Sequence, residues 1–386
     1  MKVQSIPNES IAKYLNNIKH KALQVLEQTQ LPPSHHESWR KINIHLIPFS
    51  TFRFQDSVLE TKRNGTSLFV DFISDFEKKL LLANYDQEMA REFNWEVDYF
   101  GILNVAFLQN LNIIRIPKNS QEKQEISIQH LPQEGNSFFP FTIVVAERNS
   151  EVVITEEFRC EIPSFWSSSV LIYAEENARV YYYQIRHYND LDFHFHRIRI
   201  LQKRDSYVHA GVFHLGGNLG KGFIQARLLE ENAQFRGIGF FLGGKGNYHN
   251  MEMDIYHLNH HQSSSLLYKT IVKERAHSVF IGKLESLPKI RGVESHQLNQ
   301  NLILSKKAKA ESRPWLIVRS ENVNCEHGAT SGDLDEEALF YLQARGLNEE
   351  EAKKILIIAF MVDLVDETQW SQEKKDSFLQ ELINRL

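Results

Sequence analysis

Asn149-Ser150-Glu151-Val152 returns as Asn177-Ala178-Arg179-Val180, as Asp205-Ser206-Tyr207-Val208 and as Asn232-Ala233-Gln234-Phe235. The starts at 149, 177, 205 and 232 are 28, 28 and 27 residues apart. Asn or Asp tolerates positive φ at a corner, a small residue packs beside it, and an apolar residue opens an inward-facing strand. A fixed step of this size, with two or three strands per unit, is what a solenoid of stacked coils requires. Equivalent strands then pair in parallel about 4.8 Å apart. Weaker echoes follow at Ala276-His277-Ser278-Val279 and Ala308-Lys309-Ala310. The competing arrangement is a large antiparallel sandwich with evenly spaced turns.

Outward from this stretch, alternating apolar runs extend from Ile113-Ile114-Arg115-Ile116 through Phe193–Leu201 and Met251–Leu258 to Val279–Leu284, with no helical period between them. Upstream the texture is helical. Ser10 is placed to cap a helix over Ile11–Gln28, stopped by Leu31-Pro32-Pro33, and further helices are expected over Phe76–Phe93 and Val97–Leu108. Downstream, Asp333 with Glu336 forms a capping-box pattern ahead of Leu334–Arg345, and Gly346 is placed to end that helix. Asn348 with Glu351 repeats the box before a helix whose Ala352, Ile355, Leu356, Ala359 and Phe360 share one stripe, and Ser371 opens a third. The expected organisation is a helical region over 1–110, a mainly β solenoid core over 111–324 and a helical region over 325–386. Such terminal helices either cap the open coil or offer an apolar face to a partner.

The 386 residues are 42% hydrophobic and 11% aromatic with a net charge of −5, which excludes intrinsic disorder and disfavours nucleic acid as a partner. Two cysteines, Cys160 and Cys325, make no disulfide framework, so a reducing, cytoplasmic setting is expected. Met1–Pro7 carries no apolar core of a secretory signal, and the apolar run Ile355–Val362 is too short to span a bilayer.

Chemistry concentrates in Asn324-Cys325-Glu326-His327-Gly328-Ala329-Thr330. On an extended chain Cys325 and His327 point to one side, and a thiolate with an imidazole suits zinc or an iron–sulfur centre. Two ligands cannot complete a tetrahedral site, so the rest must come from elsewhere in the fold or from another chain. The bland alternative is a structural cysteine and a capping histidine. His194 and His196 form an H-x-H pair able to chelate on a strand, and His257, His260 and His261 cluster near a turn with His249 upstream; outward polar positions are the simpler reading of both. Gly216-Gly217-Asn218-Leu219-Gly220-Lys221-Gly222 and Gly243-Gly244-Lys245-Gly246 lack Walker spacing and read as tight loops, and Ser167-Ser168-Ser169 and Ser263-Ser264-Ser265 as solvated turns. Two rival functions suit a β solenoid. A carbohydrate-active β-helix enzyme needs a ladder of Asp, Arg and Lys over successive coils, and none is evident. A stand-alone metal-binding protein would use the histidine groups.

The Asn324–Thr330 run, with its sequel Leu334-Asp335-Glu336-Glu337-Ala338-Leu339-Phe340-Tyr341-Leu342-Gln343-Ala344-Arg345-Gly346, closely resembles the C-terminal signature of the SufB/SufD family, on its SufD side. This family belongs to the SUF iron–sulfur cluster assembly machinery. Glu37-Ser38-Trp39-Arg40, Phe100–Phe107 running to Ile114-Arg115-Ile116-Pro117, and Asn301-Leu302-Ile303-Leu304-Ser305 are similar to further family elements, so the resemblance covers nearly the whole chain. It implies a right-handed parallel β-helix between helical ends and a non-catalytic scaffold role. It also implies pairing with a SufB-like paralogue and docking of a SufC ATPase through the C-terminal helices, with Leu334, Leu339, Phe340, Leu342, Ile355, Leu356 and Phe360 as partner-binding residues. Cys325 and His327 match the family's Cys and His at the paralogue interface, where a transient cluster or its iron is handled and the partner completes the ligand set. Reduced flavin is associated with the family's complex; no cofactor is expected to stay firmly bound to the isolated chain, for which a homodimer is possible. Glu326 departs from the small residue usual in the motif, a change of little consequence if it faces the other side of the strand.

Overall fold

Each of the four quoted corners turns through positive φ: 56° at Asn149, 57° at Asn177, 57° at Asp205 and 61° at Asn232. Their side chains stack from coil to coil, with Asn177 Nδ2 donating to Asn149 Oδ1 at 2.9 Å and Asn232 Nδ2 donating to Asp205 Oδ1 at 2.9 Å. The periodicity is therefore physical: one positive-φ corner residue per coil, and each asparagine among these corners donates to the corner below it.

The computed structural model describes residues 8–33, 38–40, 42–55, 57–65, 68–70, 72–120 and 123–386. Two 9-stranded sheets wind as a parallel solenoid of about 8 turns, each turn giving one strand to each sheet. The register is unbroken where the repeat was read: Val152 pairs Val180, Val180 pairs Val208 and Val208 pairs Phe235. These residues line a lumen packed with Ile154, Ile198, Val212, Ile224, Met253 and Phe280. No antiparallel hairpin interrupts the stack between 110 and 332 among the described residues.

The ends differ. At the N-terminal end, the strand Val58–Asn64 lies antiparallel on Gln124–Glu134, and the backbone of Phe69 and Val70 meets Asn110–Ile116. At the other end the strands Lys309–Val318 and Val323–Gly332 are each paired on one side only. The solenoid thus runs past the boundary expected at 324.

Local expectations shift in places. The first helix is Asn8–Gln28, so Ser10 falls inside it, and Glu37 and Met1–Pro7 lie outside the described residues. The helix expected over Phe76–Phe93 is two, Asp75–Leu82 and Gln87–Glu92, because Asp86 caps the second through Met89 N at 3.0 Å. Asp335, not Asp333, caps Glu336–Ala344, accepting from Glu337 N at 2.9 Å. The Asn348–Glu351 box and the Ser371 cap form as expected, opening Glu349–Asp366 and Gln372–Arg385. Ser167–Ser169 and Ser264 are buried in strands rather than solvated, and Gly220 and Gly222 lie in the strand Leu219–Leu228. Small residues there reflect crowding inside a narrow coil, which is hard to tell from a turn by composition.

The C-terminal helices pack across the outer face of the sheet that ends at Val323–Gly332. Ile357, Met361, Leu364 and Val365 join Phe378 and Leu382 against Phe213, Phe240 and Ile271. Glu381 anchors the last helix, accepting from His187 Nδ1 at 2.6 Å and Arg385 Nη2 at 3.2 Å. Burial pushes its carboxyl up, but His187, Arg385 and Arg159 outweigh that and hold it at about 2, against an ordinary 4.5. A depressed carboxylate stabilises fully above the unfolded value and loses that contribution as pH falls through the folded one. Amide exchange of 372–385, corrected for intrinsic rates, is therefore expected to lose protection between about pH 5 and about pH 2 in the wild type, and Glu381→Gln is expected to remove that pH dependence. Identical profiles for the two chains would show that Glu381 does not anchor the helix.

Candidate functional site

The strand Val323–Gly332 places Cys325 beside Ser295 and His327 beside Gln297. Ser295 and Gln297 are buried on the lumen side, and parallel in-register strands keep one facing, so Cys325 and His327 look into the open mouth of the solenoid. Cys325 is half-buried and His327 exposed. Burial pushes the Cys325 thiol up, so a bound metal must displace its proton. Glu326 faces the opposite side, where its carboxylate lies 3.5 Å from His296 Nδ1. The strand's outer edge has no partner among the described residues, so both side chains and a row of backbone donors and acceptors sit together at a surface another chain can reach.

The helices carry a second surface. Phe340 is 71% and Ile355 42% exposed, with Tyr341 and Val362 beside them among the exposed large apolar residues. Leu334, Leu339, Leu342, Leu356 and Phe360 are half-buried. The expected stripe on Glu349–Asp366 is thus corrected: Ala352 is buried, Ile355 and Ala359 face out, and Ile357, Met361 and Leu364 face the sheet. This helix is apolar on most of its circumference, so spacing alone offers two stripes, and the sheet selects one.

The histidines separate differently from their sequence grouping. His257 is buried, while His260 and His261 occupy a corner, His261 at φ 56° and His260 Nδ1 accepting from Arg291 N at 3.2 Å. His249 leaves that neighbourhood and enters the lumen, near His194 and His214.

The polar ladder that looked absent from the sequence is present on the outer face of the other sheet. Arg199, Gln225, Asp254, Lys283 and Trp315 stand in register over successive coils. They line a cleft of about 520 Å³ with Trp39, Trp95, Lys221 and Glu252. Lys221 Nζ donates to Glu252 at 2.9 Å and to Asn250 at 2.8 Å, and Ser38 Oγ donates to Glu252 at 3.0 Å. Arg199 lies over Trp95 and donates to Glu96 O at 2.6 Å. Burial, with the charge of Glu252, pushes the Asp254 carboxyl up to about 8. The alternation of charged and apolar residues in these strands reads as a solvated face until the N-terminal region is seen to fold over it.

Comparison with known proteins defines the class. The sequence profile of the SUF system FeS cluster assembly SufBD core domain matches residues 129–360. The chain belongs to this family. Within it the chain is SufD-like: it is 23% identical over 368 residues to the iron-sulfur cluster assembly protein SufD of Escherichia coli, covering 89% of this chain and 87% of that one. An iron-sulfur cluster assembly SufBD family protein of Synechocystis is 29% identical over 305 residues, 74% of this chain and 67% of its own. A SufBD family protein of Staphylococcus saprophyticus is 25% identical over 268 residues, 68% and 57% of the respective chains. A role in iron–sulfur cluster assembly follows from the family. Among the described residues no helix is long and apolar enough to cross a membrane.

Proposed function

We propose that this chain is a scaffold subunit without turnover of its own, which pairs with a SufB-type paralogue at its open end and docks a SufC-type ATPase on its C-terminal helices. Cys325 and His327 then hold a nascent cluster or its iron, as cargo, at the seam. The observation that carries this reading is the one-sided strand Val323–Gly332 with both donors facing the mouth. A second chain adding a strand to that edge satisfies the free backbone groups and brings the ligands that two residues cannot supply. Without the paralogue, the same edge is free to accept a second copy of this chain. The exposed Phe340 and Ile355 have the character of aromatic and aliphatic anchors for a separate partner.

The test is co-expression with a tagged paralogue and the ATPase. All three are expected to purify together. Phe340→Asp combined with Ile355→Asp is expected to keep the paralogue and weaken ATPase retention by at least about thirtyfold, since anchors of this kind are each worth about 2 kcal/mol or more. Failure of the wild-type chain to bring down either protein, or full ATPase retention by the double variant, would count against the assembly as drawn.

A further inference from the structure

Four histidines converge inside the solenoid, far from the mouth in sequence. His194 and His196 alternate with Phe193 and Phe195 on the strand Phe193–Gln202, on the same face as the lumen residues Ile198 and Ile200. His194 and His249 each pair in register with Gly220, on either side of it. A Cβ on Gly220 would overlap the His194 ring, and one on Gly222 the His196 ring, so the two glycines are the space that the imidazoles occupy. His214 arrives from the opposite sheet, its ring centroid 5.1 Å from that of His194 and 4.1 Å from that of His249. Nitrogens of His194, His214 and His249 all lie within 4.8 Å of one another.

All four side chains are at most 4% exposed. Among the described residues, both ring nitrogens of His194, His196 and His214 are buried without a hydrogen-bond partner, as is Nε2 of His249. Only His249 Nδ1 is engaged, 3.2 Å from the Tyr268 hydroxyl. A neutral imidazole always carries one N–H and one lone pair, and leaving them unmet away from water costs roughly 1–3 kcal/mol per group. One unmet histidine is an accident of packing; three with nitrogens this close, and a fourth ring beside them, concentrate nitrogen donors in one place. The charge of Arg186 reaches all four imidazoles, and that of Lys221 reaches His196 and His249.

We propose that His194, His214 and His249 form an internal site for one divalent transition-metal ion of the zinc class, with His196 as the adjoining fourth imidazole. Donor type sets the class: an all-nitrogen imidazole set favours zinc, cobalt, nickel or copper over magnesium or calcium, which take oxygen. The nearby cations select in the same direction, because only a strongly imidazole-binding ion overcomes them. Arg186 is held by Gln184, Tyr188 and Ser168, and Lys221 by Glu252, so neither is drawn into the cluster. Because the cluster is enclosed, the ion is taken up as the coils close and is retained.

The test uses the full chain carrying Cys325→Ser and His327→Ala, which removes the mouth donors and so separates this site from the proposed function. Purified from cells grown with added zinc, it is expected to hold about one equivalent, and X-ray absorption at the zinc edge is expected to show a shell of imidazole nitrogen without sulfur. Adding His214→Gln is expected to lower occupancy at least about tenfold, whereas His257→Gln, buried elsewhere, retains it. Zinc below about a tenth of an equivalent in the background chain, sulfur in the shell, or unchanged occupancy in folded His214→Gln would overturn the assignment. The absorption measurement stands even if a histidine variant fails to fold.

Discussion

Co-expressed with the paralogue and the ATPase, the His327→Ala chain is expected to assemble normally and to yield about a tenth or less of the clusters formed with the wild-type chain. Assembly survives because His327 is exposed and takes part in no core cluster, so its truncation removes no packing. Cluster yield falls because the imidazole is one of two donors this chain offers at the mouth, and a coordination sphere short of one strong ligand loses affinity steeply. Cys325→Ser should behave similarly, and the yield with the wild-type chain should fall as pH is lowered, since binding at the thiol must expel its proton. Visible absorbance and iron content of the purified complex measure the outcome. Wild-type yield from His327→Ala would reduce that residue to a surface histidine.

The largest expected effect on stability lies at Glu156, wholly buried in the lumen. Its carboxylate receives His130 Nε2 at 2.6 Å and the Thr142 hydroxyl at 2.9 Å, together with the Tyr182 hydroxyl. Burial pushes this carboxyl up, but His130, by hydrogen bond and by charge, with Tyr182 and Thr142 outweighs that and holds it below the ordinary range. Glu156→Ala deprives the buried His130, Thr142 and Tyr182 groups of this acceptor, and breaking a buried ionic network in this way costs about 3–5 kcal/mol. Glu176→Ala, which breaks the exposed pair with Arg148, should cost less than about 1 kcal/mol. Denaturant midpoints of the two variants decide the matter; equal midpoints would mean that the Glu156 network contributes nothing the surface pair does not.

What was legible in the sequence was whatever repeats locally. Asn149, Asn177, Asp205 and Asn232 declare the corners because a residue that tolerates positive φ is needed once per coil. Cys325 and His327 were legible as a pair because alternation fixes their common facing over two residues. The histidine cluster was not, although a signal existed: once the coil step is known, His194, Gly220 and His249 fall into one row. Using it requires the register of three coils, and His214 then enters from the facing sheet, which no spacing rule reports. The charged row through Arg199, Asp254 and Lys283 was missed for a related reason. A strand pattern distinguishes two faces, but it does not say that the outer one will be roofed by Trp39 and Trp95.

The unlike ends of the stack bear on how many chains can join. A stack of parallel strands with two bare ends would accept newcomers at both and grow without limit, the route to fibres. Here Val58–Asn64 runs against the grain at one end and covers the edge of Gln124–Glu134. The two ends therefore present unlike edges, one antiparallel and one parallel, so a second copy cannot extend the stack by repeating its own winding.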